Sequence, residues 1–163
     1  MIKKIYYDKE PKINPLVLKS IKEADLIILS MGSIYTSIIC NLISDDIKKA
    51  IDNSKAKILY ICNMFTQPGE SDDFKVSDHI KVLNKYLGKK KIDVVIANDG
   101  KIKDEYLNKY VNEEQKHPVL IDEDETNKLK VKLIKDDFVT LRNNLLRHDE
   151  IKLALKIFSE LIK

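Results

Sequence analysis

Cysteine, glycine, proline and arginine are all scarce in this 163-residue chain, and each scarcity removes a class of protein. Two cysteines, Cys40 and Cys62, cannot build a disulfide framework. They stand in separate apolar segments, form no CxxC pair and have no histidine at metal-ligand spacing. Both are expected to be buried, reduced thiols. Four glycines and four prolines exclude a fibrous or low-complexity chain. No stretch approaches the roughly 18 apolar residues of a membrane-spanning helix. Met1-Ile2-Lys3-Lys4-Ile5 is too short and too alternating for a signal peptide, so a cytoplasmic location is expected. A dominant charge of one sign is also missing, the net charge being +3 with scattered lysines. The one dense basic run, Lys89-Lys90-Lys91, reads as a solvated loop after a helix, and no nucleic-acid partner is expected.

Catalytic signatures are missing too. The chain has no GxGxxG, no GxxxxGK[ST], no HExxH and no cluster of Cys or His at metal spacing. No nucleophile is visibly paired with a base and an orienting acid. The spacing of residues therefore assigns no metal ligand, no catalytic residue and no reaction.

What remains is an ordinary globular composition, 44% hydrophobic and 34% charged, sized for a single α/β domain over 1–163. Three short apolar runs stand out: 25–30, 57–63 and 92–98. Such continuous, largely β-branched runs read as strands covered on both faces, hence a mostly parallel sheet. Helical patterns separate them, at 15–24, 35–43, 47–51 and 80–87, the last opened by Ser77-Asp78-His79 and stopped by Gly88. This alternation implies βαβ units and a Rossmann-like, three-layer fold with helices on both faces. Beyond residue 100 the pattern predicts a helix over 103–111, broken by His117-Pro118. Short strands at 119–121 and 131–139 follow, then a final helix capped by Asp149 whose apolar stripe runs from Ile151 to Ile162.

In an open parallel sheet, ligands sit beyond the carboxyl ends of the strands, so those ends hold the candidate site. The first strand runs through Ser30-Met31-Gly32-Ser33 into a helix carrying Tyr35, Thr36 and Ser37. Glycine there permits close backbone approach, and the unpaired first-turn amides with nearby hydroxyls suit an anion such as phosphate. A plain helix cap by Ser33 competes with that reading. The second strand ends in Asn63, followed by Thr66, Gln67 and Pro68-Gly69, which also fits an ordinary type II turn. Asp78 either caps its helix or orients His79 or a ligand. Asn98, at the third strand's end, belongs to a turn signal and is a weaker candidate. Arg147 and Arg142 are the two arginines of a chain that otherwise uses lysine, which suggests a need for a planar bidentate donor. His148 beside Arg147 could serve as a base.

At these places the sequence resembles the CofD/YvcK family. The matching residues are 24–29 leading into Gly32-Ser33-Ile34-Tyr35-Thr36-Ser37 and Asn41-Leu42, then 60–70 with Val76-Ser77-Asp78-His79, and finally Arg147-His148-Asp149 with Lys152-Leu153-Ala154. The stretch Thr66-Gln67-Pro68-Gly69-Glu70 before Asp78-His79 resembles the gluconeogenesis-factor (YvcK) branch more than CofD. The resemblance implies a nucleotide-type ligand. For the YvcK branch that is a UDP-sugar bound by a regulator of cell shape and envelope growth on gluconeogenic carbon. For CofD it is a GDP-linked donor in 2-phospho-L-lactate transfer to a deazaflavin. By the same resemblance Tyr110 and Arg147 contact the sugar nucleotide. Three departures stand beside it. The family's Gly-Pro-Gly is Ser30-Met31-Gly32 here, which would strain Ser30 if it needed positive φ. The family's proline is Cys40. The likeness covers only the C-terminal half of longer relatives, in which 2–7 is an internal strand. A fragment without independent activity is therefore a third reading, and the sheet edge left exposed would favour a homo-oligomer.

Overall fold

A computed structural model describes residues 2–161. Its frame is a four-stranded parallel sheet of β1 (Leu26–Leu29), β2 (Lys57–Ile61), β3 (Val94–Asn98) and β4 (Lys132–Asp136), in the order β1-β2-β3-β4. Each strand pairs with its neighbour in sequence, with Leu26 opposite Lys57, Leu59 opposite Val94 and Val94 opposite Lys132. Ahead of β1 lies α1 (Pro15–Glu23), whose first turn is fixed by Pro15 and by the Asn14 side chain accepting from the Leu16 amide.

The link from β1 to β2 is a π-helical turn, Ile34–Ile39, running into α2 (Cys40–Leu42) and then α3 (Asp45–Asn53). The regular helix expected over 35–43 is thus widened at its start. The Ser33 carbonyl accepts from both the Ser37 and the Ile38 amides, at 3.0 and 3.1 Å. Between β2 and β3 stands α4 (Val76–Tyr86), which begins four residues ahead of Ile80. It is opened by the Asp78 carboxylate accepting from the Lys75 amide and ends at Gly88, whose φ of 60° is the left-handed conformation that stops a helix. Of the lysines that follow, Lys89 and Lys91 are exposed, as expected, and Lys90 is half-buried. The ammonium groups of Lys90 and Lys91 bind the carbonyls of Ala56, Asn84 and Gly88.

The connection from β3 to β4 contains α5 (Asp104–Glu114) and α6 (Glu123–Lys128). The strand expected at 119–121 does not form. Pro118 has no N–H to give a ladder, and the segment makes one antiparallel bridge to Phe65. The strand expected over 131–139 is split. Asp136 and Asp137 turn their carboxylates onto the backbone amides of Asp137 and Val139 and so end β4. The chain then forms an antiparallel hairpin, β5 (Val139–Arg142) and β6 (Leu145–His148), absent from the expected elements. Helix α7 (Glu150–Leu161) closes the described chain, with Asp149 capping it through the Lys152 amide. Ile162 lies outside the described residues. Residues 2–7 form no strand. They are held by the Ile2 amide on the Gly69 carbonyl, by the Tyr7 hydroxyl on the Cys40 carbonyl, and by Ile2 and Ile5 against the core.

Two apolar layers hold the sheet. On one face Ile58, Tyr60, Cys62, Val95 and Ala97 meet side chains of the 34–42 turn and of α3 and α4. On the other, Leu59, Ile61, Val94, Ile96 and Ile134 meet Leu153 and Ile157 of α7. Each fully buried side chain of this size contributes about 1.5–3 kcal/mol. The buried face of β2 leaves its carboxyl end, Cys62-Asn63, firmly placed where the strands stop.

Candidate functional site

The carboxyl ends of β1 and β2 open into a cleft roofed by the β5–β6 hairpin. Its larger lobe holds about 570 Å³ and its smaller lobe about 300 Å³. Met31, Asn63, Phe65, Leu145, Leu146 and Arg147 line both lobes, so the two are continuous.

Gly32 and Ser33 border the smaller lobe. The loop is tight because the Gly32 amide donates to the Ser30 carbonyl at 2.8 Å. Among the described non-glycine residues, positive φ is confined to Asp73, Gln115, Lys130, Asn143 and Asn144, so Ser30 carries no such strain. The Ser33 hydroxyl accepts from the Thr36 amide at 3.2 Å, making the helix cap. It also accepts from the Thr36 hydroxyl at 2.6 Å and donates to the Glu70 carboxylate. A carboxylate of this same chain therefore already uses the hydroxyl expected to meet a phosphate.

Asn63 extends β2 into the cleft and pins the loop, its amide donating to the Gly32 carbonyl at 3.0 Å. Its Oδ1 is buried without a partner, and so is Oε1 of Gln67, which lines the same lobe. Two orphaned acceptors at one wall are unusual, since buried polar atoms are nearly always bonded. Thr66 is buried and structural, its hydroxyl accepting from the His117 amide at 3.0 Å. The expected turn at Pro68-Gly69 is present, with Gly69 at φ 80° and the Glu70 amide on the Gln67 carbonyl.

Tyr110 reaches the cleft from α5. Its ring stacks on Phe65 with centroids 4.6 Å apart, and its hydroxyl accepts from the Leu146 amide at 3.1 Å, tying the hairpin down. The charges nearby are mostly spent. Lys116 pairs with Glu114 at 2.6 Å, and Arg142 pairs with Glu150. Arg147 lines both lobes and, among the described residues, has no carboxylate partner. His148 borders the larger lobe, with Nε2 3.3 Å from the Cys62 carbonyl. A carbonyl only accepts, so Nε2 carries the proton and Nδ1 is left as an acceptor. Burial lowers the His148 pKa, and the Cys62 carbonyl partly offsets that.

Other expected residues lie elsewhere. Tyr35 is buried. Ser37 and Asn41 line a separate hollow of about 390 Å³ along the outer edge of β1. Asp78 serves as the cap of α4. His79 is fully buried, with Nδ1 2.9 Å from the Tyr60 hydroxyl and the Phe74 ring edge-on to it. Burial lowers its pKa to about 4, with Asp78 opposing. Asn98 spends its side chain on the Gly100 and Phe138 backbone. Cys40 and Cys62 are both free, and burial raises the Cys62 thiol to about 12. Phe65, Glu70 and Leu145 were not foreseen. The aromatic directly after Asn63-Met64 was the available signal for the first of them.

No group of three or more potential metal ligands exists among the described residues, and none of their helices is long and apolar enough to cross a membrane. The family model described as 2-phospho-L-lactate transferase CofD matches residues 1–139. The gluconeogenesis factor of Bacillus subtilis is 40% identical over 155 residues, covering 94% of this chain and 48% of that protein. A putative gluconeogenesis factor of Thermoanaerobacterium thermosulfurigenes is 42% identical, covering 94% and 47%. A crystal structure of a UPF0052 family protein from Bacillus halodurans superposes with a TM-score of 0.87 at 35% identity, covering 92% of this chain and 48% of that one. The chain thus spans about half the length of these relatives, matching their C-terminal part. On these matches the chain belongs to the CofD/YvcK family.

Proposed function

We propose that the cleft binds a nucleoside diphosphate sugar of the UDP type. On this reading the chain is the ligand-binding part of a gluconeogenesis-factor-like regulator of cell shape and envelope growth. The observation that carries it is the contrast between two arginines on the two strands of one hairpin, Arg142 of β5 and Arg147 of β6. Arg142 is neutralised by Glu150, whereas Arg147 faces the cleft with its guanidinium uncommitted. A planar, permanently charged fork suits a diphosphate. The orphaned acceptors Asn63 Oδ1 and Gln67 Oε1 suit sugar hydroxyls or a base N–H. The names of the relatives favour this regulatory reading over transferase chemistry.

Isothermal titration with UDP-N-acetylglucosamine tests the reading. Arg147→Ala should weaken binding about tenfold or more, because a charge-assisted hydrogen bond contributes about 1.5–3 kcal/mol. Arg142→Ala should leave binding unchanged. Equal effects of the two substitutions would remove Arg147 from the site. Glu70→Gln should tighten binding several-fold if the phosphates approach Ser33, since it withdraws a like charge from that loop. The CofD-type alternative predicts turnover with a GDP-linked donor and a deazaflavin acceptor, and no product at saturating substrates would dismiss it.

A further inference from the structure

Two polar rings lie in the apolar core just before the strand end that carries Asn63. Tyr60 of β2 and His79 of α4 are both wholly buried, with the Tyr60 hydroxyl 2.9 Å from Nδ1 of the imidazole. The rings lie 6.1 Å apart at 22°, and Phe74 meets His79 edge-on. Tyr60 belongs to the apolar layer of Ile58, Val76, Ile80 and Leu83. Stability alone does not account for a polar pair there. Nε2 of His79 is buried without a partner, and an unpaired polar atom in a core is costly. Two apolar side chains of the same shape would fill the space without that loss.

The pair has a second connection, at the Tyr60 hydroxyl. The Cys62 thiol lies beside that oxygen, and the Asn63 backbone amide hydrogen-bonds to it. An amide N–H only donates, so the hydroxyl accepts from Asn63 and its own proton goes to Nδ1. The imidazole proton is then on Nε2, the atom left unpaired. Asn63 N–H, Tyr60 O–H and His79 Nδ1 form one directed string, and each bond in such a string polarises the next. The string ends on the residue that organises the cleft. Asn63 turns its carboxamide onto the Gly32 carbonyl at 3.0 Å and leaves Oδ1 unpartnered. The Cys62 carbonyl beside it accepts from Nε2 of His148 at 3.3 Å. The β1 loop and the hairpin thus both rest on Cys62 and Asn63, just past the end of β2.

We infer that Tyr60 and His79 are positioning residues of the cleft, a role that rests on reading the cleft as a nucleotide-sugar site. The imidazole orients the Tyr60 hydroxyl, the hydroxyl holds the Asn63 amide, and the Asn63 carboxamide is thereby aimed between Gly32 and the ligand. Neither ring touches the ligand. A pair that merely filled the core would leave Asn63 indifferent to the loss of its polar atoms.

The test is a set of variants read by hydrogen exchange and by titration with UDP-N-acetylglucosamine. Tyr60→Phe keeps the ring and removes the hydroxyl. It should speed exchange of the Asn63 amide about tenfold or more, while the amides of Leu59 and Ile61 keep their protection. Affinity should fall about fivefold or more. His79→Leu should give the same two effects. His79→Gln should recover most of both, because its carboxamide oxygen accepts from the Tyr60 hydroxyl. Tyr60→Phe combined with His79→Leu is an apolar pair, which should unfold at a higher midpoint than His79→Leu alone yet bind as weakly. Binding that recovered together with the midpoint would reduce the pair to packing and overturn the inference. So would an Asn63 amide whose exchange is unchanged in Tyr60→Phe. A wild-type chain that takes up no UDP-N-acetylglucosamine would dismiss the ligand, and Asn63 exchange would still decide the positioning role.

Discussion

At Gly32 the backbone lies outside the left-handed region, yet a Cβ built there would stand 2.7 Å from the Cβ of Ser37. The glycine answers a close approach between the loop and the helix it opens, and its own φ does not demand it. Gly32→Ala should cost about 1–3 kcal/mol by overpacking. Ser37→Gly in the same chain should recover much of that loss in a denaturant titration, and a purely additive double variant would refute the steric account. His79 offers a second case. It is neutral in the fold, with its pKa lowered from 6.5 to about 4 chiefly by burial. The unfolded chain takes up a proton as pH falls below 6.5, while the folded chain does not. Its stabilising effect is therefore complete above pH 6.5 and lost as pH falls toward 4, at most about 3 kcal/mol. Unfolding midpoints measured across that window should decline, and His79→Leu should flatten the slope even though it lowers stability overall. A slope unchanged by that substitution would assign the acid sensitivity to other groups.

The β5–β6 hairpin is the element on which the site depends. It carries Arg147 and His148 and is turned by Asn143 and Asn144, both left-handed at φ 49° and 59°. Two such residues in a two-residue loop match the strand twist, and asparagine tolerates the conformation better than most side chains. Asn144→Gly should hold or raise stability, whereas Asn143→Val should loosen the hairpin and weaken ligand binding. Tyr110→Phe removes the hydroxyl that accepts from the Leu146 amide. Exchange of that amide should quicken and affinity should fall, while the four-stranded sheet keeps its protection. The first three parallel strands were legible in the sequence because each is a continuous apolar run between helical patterns, whereas β4 showed only within the longer strand expected over 131–139. The hairpin was not. Its strands mix Leu141 and Leu145 with charged neighbours and are only half-buried, so neither alternation nor a continuous run marks them. Asn143-Asn144 was the one legible sign.

For the whole molecule, the sequence placed candidate residues at three strand ends, but not which of them share a cleft. Asn63 and Arg147 meet there. His79 goes into the core because an apolar helix face carries it inward, and Asn98 is consumed by the turn that ends β3. Nothing in a sequence pattern records how far a side chain's hydrogen-bonding capacity is already spent, and that decided most of the differences. The same holds for Glu70, whose carboxylate sits on the Ser33 hydroxyl from a loop far along the chain.

The simple strand order also bears on how the molecule assembles. No strand has to insert between two that are already paired, because each adds to the edge left by the one before it. Each pairing closes one βα connection and none closes a longer loop across an intervening strand, which limits the entropy cost of each stage. Within the described residues the sheet can therefore add its strands in chain order. The hairpin folds onto it afterwards, tied by the Asp149 amide to the Phe138 carbonyl and by Leu146 to Tyr110. A product cut short before the hairpin would lack α7 too, and so would leave Leu59, Ile61, Val94, Ile96 and Ile134 bare beside strand ends with no roof.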